Sequence, residues 1–134
     1  MTGLSRDVAD ALPYQYVVLR CVPRVDREEF LNVGVALYCQ SADFLDAAAH
    51  VDRARLAAFG PGIDADRLER SLAAVRDVCR GVASAGDAAR ADLGTRFGFV
   101  KAPRSTIVQP GPVHGGLTTD PGRELEHLLD RLVR

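Results

Sequence analysis

Two segments of the sequence carry more functional groups than a scaffold needs. The first is the connection 24–32, which combines guanidinium, carboxylate and amide groups: Arg24, Asp26, Arg27, Glu28, Glu29 and Asn32. Arginines of this kind bind anions through forked hydrogen bonds, and Glu28 or Glu29 could serve as an acid or a base. The alternative is structural, because Asp26 can cap a single helical turn and mixed charges in a loop are commonly only solvated.

The second segment, 104–119, offers a guanidinium, hydroxyls, an amide and an imidazole: Arg104, Ser105, Thr106, Gln109, His114, Thr118 and Thr119. Its glycines allow a ligand to approach the backbone N–H groups, and it leads into a predicted helix N-terminus, which favours anions. This combination suits a phosphate or a carboxylate. However, Gly-Gly and Pro-Gly-Pro also form ordinary turns, and the spacing matches neither the P-loop nor the dinucleotide-binding fingerprint.

Motifs for the commoner catalytic centres are absent from the sequence. No GxSxG elbow surrounds Ser105, and there is no HExxH or cysteine–histidine cluster for zinc. The clustered carboxylates of the first segment lack the spacing of a calcium loop, so we expect neither a metal nor a cofactor. The three cysteines have no CxxC spacing and fall in predicted strands and a helix, which indicates buried reduced thiols: Cys21, Cys39 and Cys79.

Composition is that of one ordinary globular domain. The chain has 134 residues, of which 47% are hydrophobic and 26% charged. We expect a flexible segment over residues 1–13 and a single domain over 14–134. The net charge of −1 gives no electrostatic case for nucleic-acid binding. No apolar run is long enough for a signal peptide or a membrane span, so we expect a cytoplasmic protein.

Hydrophobic periodicity predicts the elements that must position these side chains. Alternating β-branched and aromatic residues predict strands at 14–22 and 33–39. An Ala-rich run predicts a weaker strand at 44–51, in a hairpin with the second, and residues 106–108 predict another short strand. Gly34 within the second strand indicates a bulge or a close backbone approach. Capped amphipathic patterns predict helices after Asp52, Asp64 and Asp120, while residues 84–99 stay ambiguous between a loop and a helical turn. The fold class is therefore α+β, an antiparallel sheet of three to five strands with helices packed on one face.

The sequence also contains, in order, the words YQYVVLRCVPRVDREEFLNVGVALYC, APRSTIVQPGPVHGGL and ELEHLLDRLVR. Together they resemble a bacterial family catalogued as domain of unknown function 3037, from about residue 14 to residue 134. The resemblance implies that both segments contribute to a shared site. Its residues would be Arg24, Arg27, Glu28, Glu29, Asn32, Arg104, Ser105, Thr106, Gln109 and His114. Since members of the family are often encoded beside a HipA-like serine/threonine kinase, the resemblance also implies that kinase as a partner.

Two functional hypotheses follow. In the first, the chain is a non-catalytic interaction module, and a homodimer, that binds a protein partner through a strand edge or the face of its C-terminal helix. In the second, it is an enzyme or binding domain for a phosphorylated small molecule or a nucleotide. Its arginines would then hold phosphate, while Glu28 and His114 transfer protons. The second hypothesis requires the two segments to meet in one concave pocket.

Overall fold

The computed structural model describes residues 10–104 and 106–134. Within them the chain forms five β-strands and five α-helices: β1 (Leu12–Cys21), β2 (Leu31–Cys39), β3 (Phe44–Ala49), α1 (Arg53–Phe59), α2 (Ala65–Arg80), α3 (Asp87–Arg90), α4 (Leu93–Lys101), β4 (Val108–Pro110), β5 (His114–Thr118) and α5 (Pro121–Leu132). The predicted α+β class is confirmed. Most of the predicted flexible segment 1–13 lies outside the described residues, and its end, from Leu12, belongs to β1.

The strands form one antiparallel sheet with β1 at its centre. On one side of β1 the order is β2 and then β3. On its other side, β5 pairs with the first half of β1, from Leu12 to Tyr16, and β4 pairs with Leu19 to Cys21. Gly111 and Pro112, between β4 and β5, interrupt what would otherwise be one long edge strand. The central position of β1 explains why both of its faces are largely apolar.

Helices α1 to α4 cover one face of the sheet. Helix α2 contributes the largest apolar stripe, which the period of 3.6 residues places on one side: Leu68, Leu72, Val75, Val78 and Cys79. These side chains pack on Val17 and Leu19 of β1, with Phe97 and Val100 of α4 completing the cluster. Asp64 caps the helix by accepting from the Arg67 N–H, and Gly81 ends it with φ 70°.

Helix α5 covers the opposite face. Its buried leucines, Leu125, Leu128 and Leu129, pack on Val35 and Leu37 of β2 in a second apolar cluster. The predicted arrangement of helices on one face therefore holds for α1 to α4, and α5 differs. The physical reason lies in β2, whose alternate residues are apolar on both sides, so that each face of the strand needs its own cover.

A bulge interrupts the pairing of β1 with β2. Leu19 lies opposite Gly34, whereas Arg20 lies opposite Asn32, so Val33 has no partner on β1. A side chain at position 34 would meet the Ala48 carbonyl oxygen at 2.9 Å. Both features that Gly34 predicted, a bulge and a close backbone approach, are confirmed.

Candidate functional site

The first polar segment forms a tight turn that neutralises its own charges. A short 3-10 turn, Val25–Arg27, connects β1 to β2, and Glu28 follows it in the left-handed region with φ 55°. The Arg24 guanidinium donates to the Asp26 carboxylate at 2.7 Å, and the Arg27 guanidinium donates to Glu29 at 2.5 Å. All these side chains are exposed, so each pair contributes little to stability.

Arg24 and Arg27 line a cleft of about 600 Å³ together with Arg67 of α2. Its apolar part comes from Phe59 and Ile63, which belong to the side of the sheet covered by α1 and α2. Of the described residues of the second segment, only Ile107 reaches this cleft. Arg104, Thr106, Gln109 and His114 do not line it.

Most polar groups of the second segment bond to nearby backbone. The Arg104 guanidinium donates to the carbonyls of Phe99 and Val100 at the end of α4, and desolvation by burial lowers its pKa. The Thr106 hydroxyl donates to the Val108 carbonyl at 2.8 Å, and the Gln109 amide donates to the Thr106 carbonyl at 3.2 Å. These contacts stabilise a helix end and a turn. Ser105, which the sequence also proposes for the site, lies outside the described residues.

Strand register brings residues of both segments to one face of the sheet. Arg20 lies beside Asn32 of β2 and beside Gln109 of β4, while Tyr16 lies beside His114 of β5. Directly opposed residues on neighbouring strands share a face, and residues two apart on β1 do as well. We call this set the open sheet strip: Tyr16, Val18, Arg20, Asn32, Gln109 and His114.

The open sheet strip lies beside α5. Helix α5 packs on β2 and β3, and over the described residues it leaves the β1, β4 and β5 side of this face without a covering helix. Tyr16, Val18, Arg20 and Gln109 are accordingly half-buried, and His114 is exposed. Arg20 lies four residue steps along the extended strand from Tyr16, which corresponds to about 13 Å.

Arg20 carries the permanent positive charge of this strip. Its guanidinium carbon lies 3.9 Å from the centre of the Phe30 ring. On another side the guanidinium lies against Gly111, where an added Cβ would come within 3.0 Å of it. Between residues 10 and 134, Ser105 excepted, no carboxylate pairs with Arg20, and its buried Nε has no hydrogen-bond partner. Sequence reasoning missed Arg20 as a site residue, although an arginine inside a central strand was a usable signal.

Asn32 connects the strip to the C-terminal helix. Its amide nitrogen donates to the Leu132 carbonyl at 3.1 Å, at the last turn of α5. Its amide oxygen is buried and accepts no hydrogen bond from the described part of the chain. The Asn32 amide oxygen thus lacks a donor, and the neighbouring Arg20 Nε–H lacks an acceptor. A ligand that carries both a donor and an acceptor can satisfy the two groups together.

Aromatic rings form the other end of the strip. The rings of Tyr16 and His114 stack with centroids 5.2 Å apart, and Tyr14 lies next to Tyr16 at 6.1 Å. Gly116 makes room for the Tyr14 ring, because a Cβ there would lie 2.6 Å from the phenol oxygen. Burial and the neighbouring Glu124 carboxylate of α5 raise the pKa of Tyr14. Like an ordinary phenol, it is protonated at neutral pH and can donate a hydrogen bond.

The two edges of the sheet differ in their protection. At β3, the Ala47 N–H donates to the Asp46 carboxylate at 2.8 Å, and Arg80 holds that carboxylate with two hydrogen bonds. Such charges on an edge strand discourage pairing with another chain. Strand β5 carries no acidic or basic side chain except His114, and Leu117 on it is 68% exposed. The β5 edge therefore extends the open sheet strip as a surface suited to contact.

A family model matches residues 16–133. The chain belongs to DUF3037. This is a family of proteins of unknown function, and its matched region includes both polar segments and the open sheet strip. The resemblance seen in the sequence is thereby confirmed. Comparison of this DUF3037 chain with the curated proteins and with the solved structures finds no match.

For the described residues of this DUF3037 chain, two features were compared with what a membrane span and a metal site require. None of their helices is both long and apolar enough to cross a membrane. Among the same residues, no three histidine, cysteine or acidic side chains lie close enough together to hold a metal ion.

Proposed function

We propose that this chain is a cytoplasmic, non-catalytic interaction module that binds an acidic segment of a protein partner on the open sheet strip. The observation that carries the proposal is the state of Arg20. Its guanidinium is held in place by Phe30 and Gly111, yet no carboxylate of the described chain pairs with it. A fixed arginine without a counter-ion offers a carboxylate two parallel hydrogen bonds at a small cost in side-chain entropy.

The composition of the surface supports a protein partner. Tyrosine and arginine are enriched among the residues that contribute most to binding free energy at protein interfaces, and the strip combines both with the exposed rings of Phe30 and His114. By contrast, Arg24, Arg27 and Arg104 already bond to carboxylates or carbonyls of the chain itself. The unpaired Arg20 therefore favours the strip over the two polar segments as the centre of contact.

The partner that we propose is a HipA-like serine/threonine kinase. Its support is the family resemblance, which implies such a kinase as a partner. An acidic surface segment of the kinase would supply the carboxylate for Arg20, and the β5 edge would accept an extended stretch of its backbone. Self-association through the same edge, giving a homodimer, is the competing use of this surface.

Calorimetric titration of the purified chain with a HipA-like kinase from the same organism tests the proposal. We expect wild-type binding, and we expect Arg20→Gln to weaken it by about tenfold or more, because a central arginine is lost. Arg90→Gln, which removes an exposed arginine of α3 far along the chain, serves as the matched control and should bind like the wild type. Urea unfolding of both variants establishes that they fold.

Two results would overturn the proposal. One is the absence of both kinase binding and self-association, the latter measured by light scattering during size-exclusion chromatography. The other is equal weakening by Arg20→Gln and Arg90→Gln, which would show that net charge alone matters.

The described polar residues of the two segments do not meet in one pocket, so a catalytic site that combines Glu28 with His114 is not proposed. A narrower second candidate, anion binding without catalysis, rests on the 600 Å³ cleft, because three arginines line it: Arg24, Arg27 and Arg67. This cleft suits a phosphorylated small molecule or a nucleotide, with the apolar surface of Phe59 and Ile63 as its floor. Titration with ATP and with inorganic phosphate, followed by amide NMR shifts, distinguishes the two candidates. Saturable shifts around these arginines that Arg67→Gln abolishes would favour the cleft, and their absence would favour the strip.

A further inference from the structure

A smaller cleft of about 370 Å³ lies between β3 and α2. It is distinct from the open sheet strip and from the arginine-lined cleft, and neither polar segment contributes to it. Its floor is apolar and includes Leu19 and Leu72, whereas its rim carries three polar side chains: His50, Glu69 and Arg76. Small-molecule sites in proteins typically combine such a floor with a few polar groups, at volumes of roughly 300–1,000 Å³.

Strand register explains why this space is open. Leu19, Gly34 and Ala49 are lateral neighbours across β1, β2 and β3. Gly34 has no side chain and Ala49 has a small one. Leu19 is therefore the only large side chain among these three neighbours. Ala73 faces it from α2 and is also small. A larger residue at position 34 would collide with the Ala48 carbonyl oxygen, and therefore the sheet cannot fill the cleft from below.

The charged side chains at the rim differ in whether hydrogen bonds to an oppositely charged side chain are formed. Glu69 accepts two hydrogen bonds from Arg53, at 3.0 and 3.2 Å. Asp46 accepts two from Arg80, at 2.9 and 3.1 Å, which leaves Arg76 at 3.8 Å from the nearest Asp46 oxygen. That distance is too long for a hydrogen bond. Both acidic groups near the cleft are therefore engaged by other arginines, while the guanidinium of Arg76 retains its donors.

We propose that this cleft binds a small carboxylate with an aliphatic or aromatic body. The carboxylate pairs with the Arg76 guanidinium. The body lies against the exposed side chains of Ala49 and Ala73 and the half-buried Val51, where it removes apolar surface from water. A cavity of 150 Å³ holds benzene, so a cleft of 370 Å³ has room for a body of roughly ten non-hydrogen atoms. The site is independent of the protein-binding strip, which lies on the opposite face of the sheet.

Amide NMR titration with hexanoate and with phenylacetate tests this site, with hexanamide as a neutral probe of the same length. We expect saturable shifts in the wild type at Ala47 to Val51 and at Glu69 to Arg76, and tighter binding of hexanoate than of hexanamide. Arg76→Gln should weaken hexanoate about tenfold and leave hexanamide unchanged, because only the charged probe uses the guanidinium.

A matched pair of substitutions separates the cleft from the rest of α2. Ala73→Leu fills the cleft with a side chain and should reduce binding of both probes by about tenfold or more. Ala74→Leu adds the same side chain at the next exposed position, which does not line the cleft, and should leave both affinities unchanged. Either the absence of saturable shifts in the wild type at millimolar probe, or equal affinities in the Ala73→Leu and Ala74→Leu variants, would overturn the proposal.

Discussion

Arg20 lies inside the central strand, where a half-buried charge costs free energy unless its surroundings compensate it. The Phe30 ring provides part of the compensation through a cation–π contact, which is worth about 0.5–2 kcal/mol depending on solvent exposure. Hydrogen bonds from the described chain provide none. An apolar residue at this position would not carry that cost, and the binding role that we propose would account for the cation.

Gly116 provides a prediction at the residue scale, because the Tyr14 ring occupies the space of its missing side chain. We expect Gly116→Ala to destabilise the protein by about 1–3 kcal/mol, since the new methyl group must displace a ring that is packed on the apolar cluster under α5. In Gly115→Ala the new methyl group meets its nearest atom at an ordinary 3.4 Å. That variant should be no less stable than the wild type in urea unfolding. An equal loss of unfolding free energy in both variants would contradict this account.

The cysteines provide a second prediction at this scale. All three are buried and free, as the sequence predicts. Burial, assisted by the nearby Asp46 carboxylate, raises the pKa of Cys79 to about 12, so at pH 8 only about one thiol in 10⁴ at this position is ionised. We expect no reaction of Cys21, Cys39 or Cys79 with a disulfide reagent in the folded protein, and stoichiometric reaction of all three after unfolding. Rapid labelling of any of them before unfolding would contradict the packing.

At the element scale, most of the described helices share one feature, an aspartate N-cap. Asp52, Asp64, Asp92 and Asp120 each accept the N–H three residues ahead and begin α1, α2, α4 and α5. For Asp92, hydrogen bonds from Thr95, at its side chain and at its backbone N–H, lower the pKa of the carboxyl group. Because the folded pKa lies below the unfolded one, this stabilisation is complete above the unfolded value, about pH 4, and is lost as the pH falls through the folded value.

The Asp92 cap therefore predicts a pH dependence that a variant can isolate. Asn caps helices about as well as Asp but does not titrate in this range. We expect the melting temperature of the wild type to fall more steeply than that of Asp92→Asn as the pH decreases from about 5 to about 2. A difference between the two proteins that stays constant over this range would exclude a titrating cap.

Sequence patterns predicted some elements well and others poorly, for physical reasons. Helices α2 and α5 have strong apolar periodicity and an aspartate cap, and both begin where the pattern indicates. Helix α4 lies in the stretch left ambiguous, because its glycines weaken the helical pattern although Asp92 caps it. The strand predicted at 106–108 lies instead at Val108–Pro110, and β5 was not predicted, since a strand containing Gly115 and Gly116 depends on pairing with β1 rather than on its own propensity.

At the scale of the whole molecule, the open sheet strip could not be assembled from the sequence. Its members come from four strands, and which of them become neighbours depends on the register, including the bulge that places Arg20 beside Asn32 instead of Val33. The sequence did identify Asn32, Gln109 and His114 as candidates. It could not separate them from Arg24, Arg27 and Arg104, whose charges are used within their own loops and helix ends.

The shared sheet also predicts how the molecule unfolds. Leu72 packs in the cluster under α2 and Leu128 in the cluster under α5, so truncation of either to Ala should cost about 2–5 kcal/mol. Because β1 and β2 contribute side chains to both clusters, neither cluster can form without the sheet, and we expect one cooperative transition. Labelling the three tyrosines with 3-fluorotyrosine tests this in urea, since Tyr14 and Tyr16 report on the α5 side and Tyr38, against Phe97, reports on the other.

In the wild type and in both leucine variants, all three fluorine signals of the folded state should disappear at the same urea concentration, which is lower in the variants. Loss of the Tyr14 and Tyr16 signals before that of Tyr38 in Leu128→Ala would show that α5 leaves the sheet independently. The strip beside α5 would then change shape as this helix detaches, because Asn32 holds the strip to the last turn of the helix through the Leu132 carbonyl. A single transition instead means that α5 and the strip unfold only together with the sheet, so that the proposed contact at Arg20 needs no separate ordering of the strip.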